Sequence, residues 1–236
     1  ELAELTWGVD QGRIVDRLAS SADVVARVAG GDNAGHTIHA AGQILRLHLL
    51  PSGVLHPHTL CLLGAGLVVY PETLLQEIHA LEAQGIDVSP SRLKLSLAAH
   101  IITPAHRALD AAQERARGSG ELGTTRRGIG PAYADKASRR GLRAEAMRDP
   151  EAFARRVEER ARQAGEWLSA IYHVEAPDPA QAGQSLGAAA EALRPYLADI
   201  GAIAGRALAD GKTVLAEGAQ GTLLDLDHGT YPFVTA

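Results

Sequence analysis

The chain has 236 residues, of which 46% are hydrophobic, and carries a net charge of −5 at neutral pH with a pI near 6.1. That apolar share is enough for a sizeable core, while the acidic balance argues against a general nucleic-acid or membrane-surface binder. Cys61 is the only cysteine, so no disulfide can close within the chain, as in a reducing compartment, and no apolar run approaches the ~20 residues that span a bilayer. No signal peptide is visible, and the chain reads as soluble and cytoplasmic. It begins at Glu1 without a methionine and stops at Ala236 shortly after a glycine-rich turn, so we expect a fragment or a rearranged chain.

Residues 1–6 have little strand character, and in WGVDQGRIVD the glycines Gly8 and Gly12 bracket a small polar loop. Ile14, Val15 and Leu18 then predict a short helix, followed by a strand over 24–28 that runs into GGDNAGHT, residues 30–37. A strand ending in glycines can turn with φ > 0 and present free amides to anionic oxygens, which suits phosphate. His36 beside it can exchange a proton near neutral pH. Ile38 and residues 43–50 flank a turn at 40–42 and predict a hairpin that Pro51, Ser52 and Gly53 end. Residues 60–70, apolar on both faces and broken by glycine, predict a buried strand and its turn.

Pro71 opens a helix through Leu74, Leu75, Ile78 and Leu81, with Gly85 placed to cap it. Residues 92–97 alternate as a strand, and Pro104 opens a charged helix over 105–117 that stops at GSG. Two further helices are expected, at about 150–172 and 186–208, separated by a Pro- and Ala-rich link over 177–184. KTVLAEGAQG, residues 212–221, returns to the pattern of strand, glycine and polar residue. This alternation predicts an α/β fold: a mostly parallel central sheet flanked by helices, with a helical insertion. We expect one domain over 1–236, incomplete, with about 144–210 as a helical subdomain. Ligands in such sheets sit at the carboxyl ends of strands, where GGDNAGHT and EGAQGT both fall.

Two more stretches have the composition of a site. GTTRRGIGPAYADKASRRGLR, residues 123–143, offers the hydroxyls of Thr124 and Thr125 and several guanidinium groups to an anion, although composition alone slightly favours a flexible basic surface loop. EGAQGTLLDLDHGTYPFVT, residues 217–235, sets Gln220 in a glycine frame, where its amide can read a carbonyl and an N–H together. The same stretch would also suit a tight turn before a strand. Asp225, Asp227 and His228 raise a metal reading, but the alternation of the two aspartates with Leu224 and Leu226 suggests a half-exposed strand instead.

Taken in order, GGDNAGHT, LLPSG, GTTRRGIGPAYADKASRRGLR and EGAQGTLLDLDHGTYPFVT resemble the signatures of the adenylosuccinate synthetase family over nearly the whole chain. The resemblance implies a cytoplasmic, magnesium-dependent ligase of purine nucleotide synthesis that joins L-aspartate to IMP at the expense of GTP and works as a homodimer. In that family an aspartate of the first loop takes the proton from the purine ring and the ring oxygen attacks the γ-phosphate of GTP. The amine of aspartate then displaces the new phosphate, while a histidine offsets the charge developing on the phosphates. By motif match that histidine is His36. Asn33, Ala34, Gly35, His36, Thr125, Gln220, Leu224 and Thr235 match the residues lining the IMP site, and Arg139 matches the arginine that reaches the partner subunit's IMP. Gly12, Gly35, His36 and Thr37 match the GTP phosphate contacts, and Gly35 the magnesium-binding carbonyl.

The first loop departs from the family pattern. WGVDQGR stands where the family has WGDEGKGK, one residue shorter, with Val9 in the place of the catalytic aspartate and Gln11 near that of the phosphate-binding lysine. Asp10 is the acid left to act as base and magnesium ligand, and it would need a backbone shift of ~3.3 to 3.8 Å to do so. Arg126 replaces a glycine of GTTGRGIG, putting a side chain where the backbone favours none. Asp32 also stands where the family often has another residue. The resemblance further implies that the aspartate-holding loop and the guanine-recognising segment lie outside these 236 residues. The alternative is an impaired or truncated homologue that binds a purine nucleotide as a sensor or dimer partner.

Overall fold

The computed structural model describes residues 11–33, 35–40 and 43–235, with 11–13, 36–40 and 43–46 described by their backbone. Helix α1 (Gln11–Ala19) leads into strand β1 (Val24–Gly30), and Ala19, Ala22 and Val25 bury together where the two meet. The expected hairpin is β2 (His36–Ala40) against β3 (Gln43–Leu47), antiparallel, with Ile38 opposite Leu45. It forms a small sheet of its own.

The main sheet is parallel and ordered β7-β5-β4-β1-β8, with β6 (His100–Ile101) pairing the end of β4 (Leu60–Val69). The other strands are β5 (Leu93–Ser96), β7 (Leu197–Ala198) and β8 (Val214–Glu217). From β1 the chain builds outward through β4, β5 and β7, then returns to lay β8 on the opposite side of β1. The strand order therefore reverses at β1, and a crevice opens beyond its carboxyl end.

The glycines of residues 60–70 do not break β4, which runs unbroken for ten residues. They let it pass a bulge in β1: the pairing register shifts between Arg27 and Ala29, and a Cβ on Gly66 would lie 1.9 Å from the Val28 carbonyl oxygen. Only glycine fits there.

Helix α2 (Pro71–Glu82) begins with proline in its first turn, and Gly85 follows its end with φ +77°. Helices α3 (Pro104–Arg117), α4 (Ile129–Ala137), α5 (Pro150–Tyr172), α6 (Pro179–Leu193) and α7 (Ile200–Ala209) complete the described set. Leu74 and Ile78 of α2, Phe153 and Val157 of α5, and Leu186 and Leu193 of α6 share one buried cluster with Leu63, Leu67 and Val69 of β4.

The single helix expected over 186–208 is two helices and an edge strand. Asp178 accepts the Gln181 amide at 3.0 Å and Pro179 fills the first turn, so α6 starts inside the stretch read as a link. Pro195 forces a tight turn over Arg194–Tyr196, β7 follows, and Asp199 caps α7 by accepting the Ala202 amide at 3.0 Å. Residues 224–227 form no strand either. After a short turn over Thr222–Leu224, Asp225 Oδ1 accepts the amides of Asp227 and His228 at 3.0 and 2.9 Å, which makes it a turn former.

Candidate functional site

At the end of β1, Gly30 takes φ +90°, and a Cβ there would come within 2.4 Å of Ala219 Cβ. The left-handed turn thus lets the tip of β1 press against the loop that follows β8, bringing GGDNAGHT beside EGAQGT. The Gly30 amide donates to Tyr133 Oη at 3.0 Å, and Tyr133 Oη donates to the Gly66 carbonyl at 2.7 Å, so α4 is tied to both β1 and β4.

Two side-chain amides meet at this junction. Asn33 Nδ2 donates to Thr235 Oγ1 at 3.3 Å, but its Oδ1 is buried without a protein partner, as is Gln220 Nε2. Buried polar atoms are nearly always paired in folded proteins, so orphaned ones indicate a ligand or water that completes them, and Asn33 lines a cleft. The cleft has a volume of about 860 Å3, and its walls include Asn33, Thr125, Tyr133, Leu224 and Thr235.

Thr125 is held by its neighbours. Asp110 and Glu114 lie one turn apart on α3. Asp110 accepts the Thr124 hydroxyl at 3.0 Å and the Gly128 amide at 2.8 Å, while Glu114 accepts the Gly123 and Thr124 amides at 2.6 and 3.2 Å. Burial works against the charge of Glu114, but these amides and Arg117 outweigh it and hold the carboxyl below its ordinary range. From the other side Arg127 Nη1 donates to the Asp32 carbonyl at 2.9 Å, linking the loop to GGDNAGHT. Between these anchors Thr125 is exposed on the cleft wall.

Arg126 has φ +56°, a left-handed backbone that carries the strain expected where an arginine replaces glycine. Its guanidinium lies 3.9 Å from Glu121, and both side chains are about half exposed. Below the loop, His106 Nδ1 accepts the Thr103 amide at 3.0 Å, so Nε2 carries the proton and faces Asp135 at 3.3 Å. Burial opposes the charge of Asp135, yet the His106 hydrogen bond and the Arg160 charge hold its carboxyl below the usual range.

The structure thus gathers Asn33, Thr125, Leu224 and Thr235 on one cleft, while Gln220 is not among its lining residues and sits beside the Gly30 turn. Arg139 is not among the cleft-lining residues. It sits just past α4, exposed, with φ +62°, while the neighbouring Arg140 lines the cleft. Gly35 abuts the His48 imidazole, whose Nδ1 lies 3.2 Å from Glu77 Oε1. Asp10 and Ala34 lie outside the described residues, and Gly12, His36 and Thr37 are described by backbone only, in α1 and β2. Among the described residues no group of three or more His, Cys, Asp or Glu could hold a metal ion. Of the two residues implied for magnesium, Gly35 is described and lies beside the His48 ring, and Asp10 lies outside the described residues.

Tyr133, Asp110, Glu114 and the Asp32–Arg127 link were not identified from sequence. Tyr133 stands inside a recognisable motif, but its partners are 67 and 103 positions away. Asp110 and Glu114 belong to the helix read from sequence only as charged.

Fold and cleft define an α/β protein with a parallel central sheet and a candidate site near its switch point. The family model described as adenylosuccinate synthetase matches residues 5–236, and the chain belongs to that family. The adenylosuccinate synthetase of Heliobacterium modesticaldum is 46% identical over 231 residues, covering 98% of this chain and 54% of that protein. That of Moorella thermoacetica is 48% identical with the same coverage. The structure of the fully ligated Plasmodium falciparum adenylosuccinate synthetase superposes with a TM-score of 0.88 at 34% identity, over 98% of this chain and 54% of that one. A cyanophage S-2L succinoaminodeoxyadenylate synthetase shares the fold, with a TM-score of 0.62 at 23% identity. The chain spans about half the length of the curated relatives it matches. No helix among the described residues is long and apolar enough to cross a membrane.

Proposed function

We propose that the cleft binds IMP and forms the IMP-binding half of an adenylosuccinate synthetase, a cytoplasmic ligase that converts IMP, GTP and L-aspartate to adenylosuccinate, GDP and phosphate. The observation that carries this reading is the pair of orphaned buried atoms, Asn33 Oδ1 on a residue that shares the cleft with Thr125, and Gln220 Nε2 beside the Gly30 turn. An amide N–H such as Gln220 Nε2 suits a purine carbonyl, and the hydroxyls of Thr125 and Thr235 suit a phosphate. Tight turns from three strands and helices set these groups before the ligand arrives, so little ordering cost falls on binding.

In this reading His36 offsets charge on the transferring phosphate and Asp10 stands in for the base that Val9 replaces. Magnesium, once bound with GTP, supplies charge neutralisation at the phosphates. Arg139, exposed just beyond α4, is free to extend to a second copy, which supports the homodimer. Val9 also favours a second reading, a homologue that holds the nucleotide without turning it over.

IMP should raise the melting temperature, because a ligand that binds only the folded state stabilises it. No shift at millimolar IMP refutes the cleft assignment. A coupled assay with IMP, GTP and aspartate separates the two readings: phosphate released in step with adenylosuccinate excludes the non-catalytic one.

A further inference from the structure

The Tyr133 hydroxyl sits where the carboxyl end of β1, just past its bulge, lies beside β4. It accepts the Gly30 N–H at 3.0 Å and spends its single proton on the Gly66 carbonyl at 2.7 Å. Both partners are backbone groups at the end of the β1–β4 pairing, Gly30 at its left-handed turn and Gly66 just past the register shift. The ring packs against the main core, and the residue also lines the cleft. Burial pushes the phenol above its ordinary range, so it stays protonated and able to donate at any physiological pH.

Three parts of the candidate site converge on this hydroxyl. The Gly30 turn starts the segment that carries Asn33, and Gly30 presses on Ala219, next to Gln220. Helix α4, which carries Tyr133, begins directly after the loop that presents Thr125. One oxygen therefore ties the turn that leads to Asn33 and abuts Ala219 to the helix that follows the Thr125 loop.

We propose that Tyr133 is a positioning residue of the nucleotide cleft, its hydroxyl fixing the Gly30 turn so that Asn33, Gln220 and Thr125 together fit a purine nucleoside monophosphate. The proposal rests on the IMP reading above. Tyr133→Phe keeps the ring and its packing and removes only the oxygen, and with it the hydrogen bonds to the Gly30 amide and the Gly66 carbonyl.

The test is IMP titration of the 236-residue chain by calorimetry, well below its melting temperature, with the Gly30 amide followed by 1H–15N NMR. Y133F should weaken IMP binding by about tenfold, equivalent to ~1.4 kcal/mol. It should also shift the Gly30 amide resonance and speed its hydrogen exchange, neither of which a loss of ring packing would explain. Tyr196→Phe, which removes a mostly buried hydroxyl beside the edge strand β7, should leave IMP affinity unchanged. Y133F binding within twofold of the parent chain, with or without a moved Gly30 resonance, overturns the role of the hydroxyl. A parent chain that binds no IMP overturns the nucleotide reading itself, so the two failures are told apart.

Discussion

Substituting Gly30 by alanine tests how the site is built. The backbone there has φ +90°, where an L residue with a Cβ costs about 1–2 kcal/mol. The new methyl would also lie 2.4 Å from Ala219 Cβ, against a carbon–carbon optimum of ~3.5–4.0 Å, so one of the two turns must retreat by about an ångström or more. Such overpacking costs about 1–3 kcal/mol, for a total of roughly 2–5 kcal/mol. For a chain of this size each kcal/mol lowers the melting temperature by about 2–4 °C, so G30A should melt roughly 4–20 °C lower. Because Ala219 precedes Gln220 and the Gly30 turn leads to Asn33, IMP binding should weaken in the same variant even where it is fully folded. Thermal unfolding and IMP titration read the two effects separately. A G30A chain that melts within 2 °C of the parent and binds IMP equally would refute the reasoning, since the turn would then be loose enough to admit a side chain.

Asp110→Ala removes a charged acceptor from the Thr124 hydroxyl and the Gly128 amide, and should destabilise by about 3 kcal/mol and weaken IMP binding, as denaturant unfolding and titration would show. The carboxyl of Asp135 is held below its ordinary value of 3.8, so it contributes stability that is complete above that pH and is lost as pH falls through its folded value. Unfolding at pH 2–5 should accordingly show Asp135→Asn losing less stability on acidification than the parent. Burial pushes the Cys61 thiol up to about 12, so the single cysteine should react with a thiol reagent at pH 8 far more slowly in the folded chain than in denaturant, which a colorimetric assay measures.

The parts of the fold legible in sequence were those marked by local chemistry. Pro71 and Gly85 bracket α2, and Pro104 and the GSG stretch bracket α3, because proline and glycine act on the backbone where they stand. The misread parts depended on distant partners. Gly64 and Gly66 looked like breaks in β4 until the bulge in β1, more than thirty positions earlier, showed what they accommodate. The alanine-rich run through Pro195 kept helical periodicity on both sides, which concealed the edge strand that pairs with Leu95 and Ser96.

The candidate site divides in the same way. Asn33, Thr125, Gln220 and Thr235 stand in stretches whose composition already suited a ligand, and the fold brings Asn33, Thr125 and Thr235 to one cleft and Gln220 to the Gly30 turn. Tyr133, Asp110 and Glu114 act only through the turns they hold, and no spacing along the chain reveals which backbone amides those turns will leave open.

A crystal structure of the chain soaked with IMP tests the central assignment most directly. The account predicts density for the nucleotide between Asn33, Thr125 and Gln220, with Asn33 Oδ1 and Gln220 Nε2 each gaining a partner. Nucleotide density elsewhere on the surface, with those two atoms still unpaired, would contradict it.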